Sequence, residues 1–264
     1  MTSRTTVRKR AGTPPAATGP TIEGRKPGQG SKLIKAAFFG PPKTGKTTLA
    51  TSGGETLLVQ FDPEGDTSTT LQGRDNITVV EPSTYAEVVE LVRALYTTDA
   101  GRWEYLVFDS LTFFFQMIAG KEITAAYMSN TNIMRPYGRG GAGVSQVISD
   151  AVRLPMHVIF NAHLQVDGAE DSVPQETALG EHEVKLAVTP MVWKTLGPAV
   201  SIIGRTYKQR KLNKKTGNND VTYRVSFNDG ERSPAGVRNE LQVPAELEIT
   251  TTTLTELAAS LKEV

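Results

Sequence analysis

Residues 38–50, FFGPPKTGKTTLA, constrain the fold more than any other part of the chain. An apolar run over residues 33–39 stops at Gly40, two prolines follow, and a helix-forming stretch begins around Gly45, Lys46, Thr47 and Thr48. The spacing Gly40-x-x-x-x-Gly45-Lys46-Thr47 is that of a phosphate-binding loop. In such a loop backbone N–H groups cradle phosphates, while the lysine ammonium and the hydroxyl serve phosphate and Mg²⁺. Strand, loop and helix in that order also aim the positive end of the helix dipole at the bound anion. The expected nucleotide-holding residues are Gly40, Pro41, Pro42, Lys43, Thr44, Gly45, Lys46, Thr47 and Thr48. Gly40 and Gly45 permit the tight backbone path, and Lys46 supplies a compact charge. A bare glycine-rich turn is the competing reading, and the apolar lead-in argues against it.

The remainder of the chain repeats the strand-then-helix texture. Short apolar runs at residues 33–39, 56–61, 77–81, 105–109 and 157–162 alternate with helical periodicity. Residues 85–96 carry Val88, Val89, Leu91, Val92 and Leu95 at helical spacing, and residues 144–154 repeat the device. This predicts an α/β fold with a mostly parallel central sheet flanked by helices. After Pro198 two β-rich arms surround a Lys-Lys-Thr-Gly-Asn-Asn tip, which predicts an antiparallel hairpin near residues 199–228. A short helix is expected over residues 254–262. Residues 1–31 hold four prolines, five glycines and the run Arg8-Lys9-Arg10. With so little apolar area to bury they read as a flexible basic tail, leaving residues 32–264 as the folded domain.

Composition removes several function classes. Lys+Arg 29 against Asp+Glu 28 gives no bulk attraction to nucleic acid or membrane, so any basic surface must be local. With no cysteine, disulfide frameworks and thiolate chemistry are excluded, which fits a reducing compartment. The apolar runs fall well short of the roughly 18 residues that span a bilayer, and no apolar signal core follows the basic start. The expectation is a cytoplasmic protein with no membrane partner.

A phosphate loop needs a carboxylate at a neighbouring strand tip to complete a magnesium shell, and Asp109, closing YLVFD, is that residue. Thr47 is the second expected metal ligand. Hydrolysis also needs a group that orients or activates water. Asp62, Glu64 and Asp66 follow the strand after the loop helix, where ligands of such sheets sit, and Glu64 is the candidate general base. An acidic loop capping something local is the alternative.

Four segments in order, GPPKTGKTT, FDPEGD, YLVFDS and VIFNAH, give the chain its resemblance to the RecA-type recombinase core. It especially resembles the small phage ATP-binding proteins that act in single-strand annealing and recombination. The resemblance spans residues 33–210 in outline. It implies ATP and Mg²⁺ as cofactors, Glu64 as the catalytic glutamate, Asp109 as the magnesium-shell acid and Ser110 as its polar neighbour. It also implies His163 as the side chain that senses the γ-phosphate, with Asn161 in reserve. By the same likeness Arg238 stands where related ATPases place a basic residue near the nucleotide or a neighbouring subunit, and assembly as a ring or filament would follow.

The recombinases grip single-stranded DNA with two loops after the magnesium strand. In the corresponding stretch, residues 129–146, Arg135, Tyr137 and Arg139 lie among glycines and offer guanidinium groups for phosphates and an aromatic face for bases. Residues 165–183 instead hold six carboxylates and no lysine or arginine, and would repel a phosphodiester backbone. Lys208, Arg210, Lys211, Lys214 and Lys215 of the hairpin form either a second polyanion contact or a solvated tip. The leading expectation is an ATPase acting on single-stranded DNA in recombination, annealing or repair. A kinase of a small molecule or nucleotide, with the arginines near residue 135 as its lid, and a nucleotide-gated helicase loader or assembly adaptor are the alternatives.

Overall fold

The computed structural model describes residues 33–62, 71–97, 101–166, 184–212, 219–228, 233–238 and 243–260. Its strands are β1 (Lys35–Gly40), β2 (Thr56–Gln60), β3 (Ile77–Val80), β4 (Tyr105–Asp109), β5 (His157–Val166), β6 (Val184–Leu186), β7 (Ile202–Leu212), β8 (Asn219–Ser226), β9 (Gly236–Val237) and β10 (Glu246–Glu248). Its helices are α1 (Lys46–Ala50), α2 (Tyr85–Thr97), α3 (Leu111–Met128), α4 (Met134–Ala151), α5 (Pro190–Ala199) and α6 (Thr253–Ser260). The central sheet runs β10-β8-β7-β1-β5-β4-β2-β3, with β6 paired to β5 and β9 to β7. Pairings from β7 through β1, β5, β4 and β2 to β3 are all parallel. Those of β7 with β8 and β9, of β8 with β10 and of β5 with β6 are antiparallel. The α/β fold with a C-terminal antiparallel hairpin is therefore present.

Sequence dictates the centre of this sheet because its strands are covered on both faces. Ala36, Ala37, Phe38 and Phe39 of β1 are all fully buried. Ala37 and Phe39 join the cluster under α2, α3, α4 and α5, while Ala36 and Phe38 join the one under α1 and α6. A strand in that position has to read as an unbroken apolar run. Phe38→Ala would remove a ring from a closed core at a cost of roughly 3–5 kcal/mol. β5 lies between β1 and β4, with Gly40 in register with His163 and Phe108 with Phe160. The tip of β5 is thereby set between the end of the phosphate-loop strand and Asp109.

One expectation is overturned. Residues 129–146 do not form a glycine-rich loop: from Met134 onward they are the first part of α4. Gly140, Gly141 and Gly143 serve close packing instead. A Cβ on Gly140 would lie 2.7 Å from Ala119 Cβ and Phe115 Cε2, one on Gly141 3.0 Å from Thr189 Oγ1, and one on Gly143 3.1 Å from Ile118 Cδ1. Bare backbone lets α4 nestle against α3 and α5, which offsets the roughly 1 kcal/mol each glycine costs a helix relative to alanine. The basic tail, Glu64 and Asp66, the acidic stretch from Asp167 to Glu183, and Lys214 and Lys215 lie outside the described residues.

Candidate functional site

The phosphate loop is bolted to the sheet rather than draped over it. Thr44 Oγ1 donates to Pro41 O at 2.8 Å and shares a 2.7 Å hydrogen bond with Thr206 Oγ1 of β7. Gly40 has to be glycine, since a Cβ would run into Thr206 Oγ1 and the Thr206 carbonyl oxygen. Gly45 holds φ +88° at the start of α1, and Lys43 holds φ +60°. Pro41 is buried, with its carbonyl turned to the lysine, whereas Pro42 is exposed.

Lys46 curls back into this loop, its Nζ donating to Gly40 O at 2.9 Å and to Pro41 O at 2.8 Å. Burial lowers its pKa to about 8, while the nearby Asp109 carboxylate pulls in the other direction. Thr47 Oγ1 donates to Asp109 Oδ2 at 2.6 Å. Asp109 sits at the tip of β4, and its carbonyl accepts from Phe61 N at 2.8 Å, which aligns the ends of β2 and β4. One hydroxyl and one carboxylate suit Mg²⁺, a hard cation that takes one or two protein oxygens and completes its octahedron from water and phosphate. Ser110 is buried and accepts from Phe113 N at 3.5 Å, so it caps α3.

Two polar side chains belong to β5, the strand between β1 and β4. His163, level with Gly40, meets the Phe113 ring edge-on at 5.2 Å between centroids, and its backbone N donates to Thr112 Oγ1 at 3.2 Å. Burial, then the Lys46 charge, lowers its pKa, with Asp109 and Asp62 opposing. Lys46, Asp109, Asp62 and His163 thus share one electrostatic neighbourhood. Asn161 is fully buried, and neither polar atom of its amide has a hydrogen-bond partner among the described residues. An orphaned amide costs roughly 1–3 kcal/mol, so a group at the strand tip that pairs with it would recover that loss.

A cavity of about 390 Å³ opens on the loop, lined by Lys43, Gly45, Lys46, Thr47 and Thr48 and, on its far side, by Tyr223 and Ile249. Sequence reasoning missed the last two. The hairpin's alternation held a signal: Val225, two residues along β8 from Tyr223, is fully buried, so Tyr223 belongs to the inward face.

Other expected residues fall elsewhere. Arg135 and Arg139 share one face of α4 and border a hollow with Glu122, to which Arg139 is ion-paired. Tyr137, about 200° round the helix from Arg135, lines a separate apolar groove against Phe115. The three do not converge as a loop would have let them, and α4 covers the face of the sheet opposite α1. Arg238 is likewise remote. Its N donates to Ser201 O, and Ser201 N donates to Lys35 O, at the start of β1 and about 16 Å along the strand from Gly40. Its guanidinium contacts Pro198 O. Within one chain it does not reach the phosphate loop.

A phosphate loop with its lysine inside, and a hydroxyl–carboxylate pair across two adjoining elements, define a P-loop nucleotide-binding ATPase core. The chain belongs to the AAA domain family, whose model matches residues 32–238. Among solved structures it is similar to the RadB recombinase at 18% sequence identity and a TM-score of 0.43, over 83% of this chain and 89% of that one. No curated protein matches it. Among the described residues no helix is long and apolar enough to cross a membrane.

Proposed function

We propose that this chain hydrolyses ATP with Mg²⁺ and couples the reaction to single-stranded DNA in recombination, annealing or repair. The observation that carries the reading is that Lys46 and Thr47 line one cavity on the phosphate loop while Thr47 is hydrogen-bonded to the Asp109 carboxylate at the neighbouring strand tip. Lys46 and the loop amides hold the β- and γ-phosphates, and Thr47 and Asp109 hold the metal between them. Glu64 orients the attacking water, and His163, with Asn161 in reserve, senses the γ-phosphate. Mg²⁺ supplies charge neutralisation at the transferring phosphoryl group. Assembly as a ring or filament belongs to the same reading. DNA contact is supported by the exposed Arg210 and Lys211 of the hairpin and the exposed Arg135 of α4, each fit for phosphate.

Steady-state hydrolysis with and without single-stranded DNA, at several salt concentrations, tests this. Turnover is expected to rise with DNA in the parent chain, Lys46→Ala to lose nucleotide binding, and Glu64→Gln to keep binding but lose turnover. Equal turnover with and without DNA, and no retention of DNA on a filter, would remove the DNA reading. Unchanged turnover in Glu64→Gln would remove its assignment as base, and a parent that binds ATP without hydrolysing it is a nucleotide-gated adaptor. No observation favours the kinase alternative, because the expected lid arginines lie on the face of the sheet away from α1.

A further inference from the structure

The cavity on the phosphate loop has a wall that no phosphate-binding argument uses. We propose that Tyr223 of β8 and Ile249, just past β10, form the platform on which the base of a purine nucleotide stacks, an inference that rests on the nucleotide reading of the loop. Gly45 sits between loop and wall. A Cβ there would lie 3.3 Å from Ile249 Cδ1 and 3.5 Å from Tyr223 Cβ, so the platform abuts the phosphate site directly. Ile249 N donates to Tyr223 O at 2.8 Å, which fixes the two residues side by side.

Tyr223 keeps 41% of its surface exposed although Val225, on the same face of β8, is fully buried. The ring therefore stands where the hairpin leaves the core, at the rim of the cavity. An aromatic face beside a branched aliphatic side chain offers a flat apolar surface to a heteroaromatic ring. Lys208, directly opposite Tyr223 on β7, holds its ammonium over the ring, 6.0 Å from its centroid, so one part of the ring already carries a cation that suits a ligand with anionic charge. None of the described residues lining the cavity bears a side-chain amide or carboxylate with which to read a base edge. Stacking on the ring face holds adenine and guanine alike.

Calorimetric titration of the full chain with ATP, GTP and inorganic tripolyphosphate, each with Mg²⁺, separates the platform from the phosphate site. Tyr223→Ala is expected to weaken ATP and GTP by about ten-fold or more and to leave tripolyphosphate affinity unchanged, which also shows that the variant folds. Tyr223→Phe is expected to bind all three as the parent does, and Lys46→Ala to bind none. The platform is overturned if Tyr223→Ala leaves ATP affinity intact, if tripolyphosphate weakens as much as ATP, or if the loss is confined to one of the two purines. A parent that binds tripolyphosphate as tightly as ATP also overturns it while sparing the phosphate loop. A parent that binds none of the three takes both readings down.

Discussion

Lys46 is a buried cation whose hydrogen-bond partners are the neutral carbonyls of Gly40 and Pro41. Without a bound anion it is a liability to the fold, and a side chain of similar length without the charge relieves it. Lys46→Met is therefore expected to raise stability by about 1 kcal/mol while abolishing nucleotide binding, and a lower urea midpoint would contradict that account. Gly40 makes the opposite point. Part of what a Cβ would strike is the Thr206 carbonyl, which cannot swing away as a side-chain tip can. Gly40→Ala is expected to cost roughly 1–3 kcal/mol, read from the same denaturation.

Lys35, at the other end of β1, gives a pH signature. Its Nζ donates to Leu154 O and Met156 O, and burial lowers its pKa from 10.5 to about 8. Below pH 8 native and unfolded chains both carry the proton, and the native state bears the full desolvation penalty. Between about 8 and 10.5 the unfolded chain holds a proton that the native chain has released, so stability rises with pH. Compared with Lys35→Met, the parent should gain stability across that window. A difference that stays flat from pH 7.5 to pH 10, on either side of the pKa of about 8, would rule this out.

At the scale of elements, α4 shows a tertiary contact overriding a local signal. Gly138 and Gly140 are two residues apart in one helix and have different reasons to exist. Nothing lies within 4 Å of a Cβ at Gly138, whereas one at Gly140 would press on Ala119 and Phe115. Alanine at either position gains roughly 1 kcal/mol of helix propensity, but overpacking at a closed contact costs roughly 1–3 kcal/mol. Gly138→Ala is thus expected to stabilise and Gly140→Ala to destabilise, with thermal midpoints moving in opposite directions. The Arg139–Glu122 pair, which joins α4 to α3, is half-exposed at both ends and contributes little.

At the scale of the molecule, the family match ends at residue 238, yet the core does not. Leu254 and Leu257 of α6 are buried in the cluster that also holds Leu49 and Ala50 of α1, and Leu254 N donates to Ser52 Oγ at 2.9 Å. Each leucine stabilises by roughly 2–3 kcal/mol, a large part of the 5–15 kcal/mol by which domains are stable. A chain ended after Arg238 would lose both, along with Ile249 at the cavity on the phosphate loop. It is expected to unfold without a cooperative transition and to bind no nucleotide. A sharp denaturation curve for the truncated chain would show that α6 is dispensable.

The parallel strands were legible in the sequence because a strand buried on both faces must be apolar throughout, and the phosphate loop because its chemistry dictates residue type and spacing within one turn of chain. Asp109 was legible for the same reason: it ends such a strand, and its tie to Thr47 follows from strand tips meeting at one edge of the sheet. Distant pairing was not encoded locally. Glycines around residue 140 read equally as a loop or as a helix packed tightly on a neighbour, and only α3 and α5 settle which. That choice put Arg135 and Tyr137 on different faces of α4. Likewise, β9 pairing beside the start of β7 carried Arg238 away from the phosphate loop, and β8 and β10 brought Tyr223 and Ile249 to the cavity on it. Residue chemistry and short-range periodicity are properties of the chain, whereas which faces meet depends on the one arrangement that buries all the apolar surfaces together.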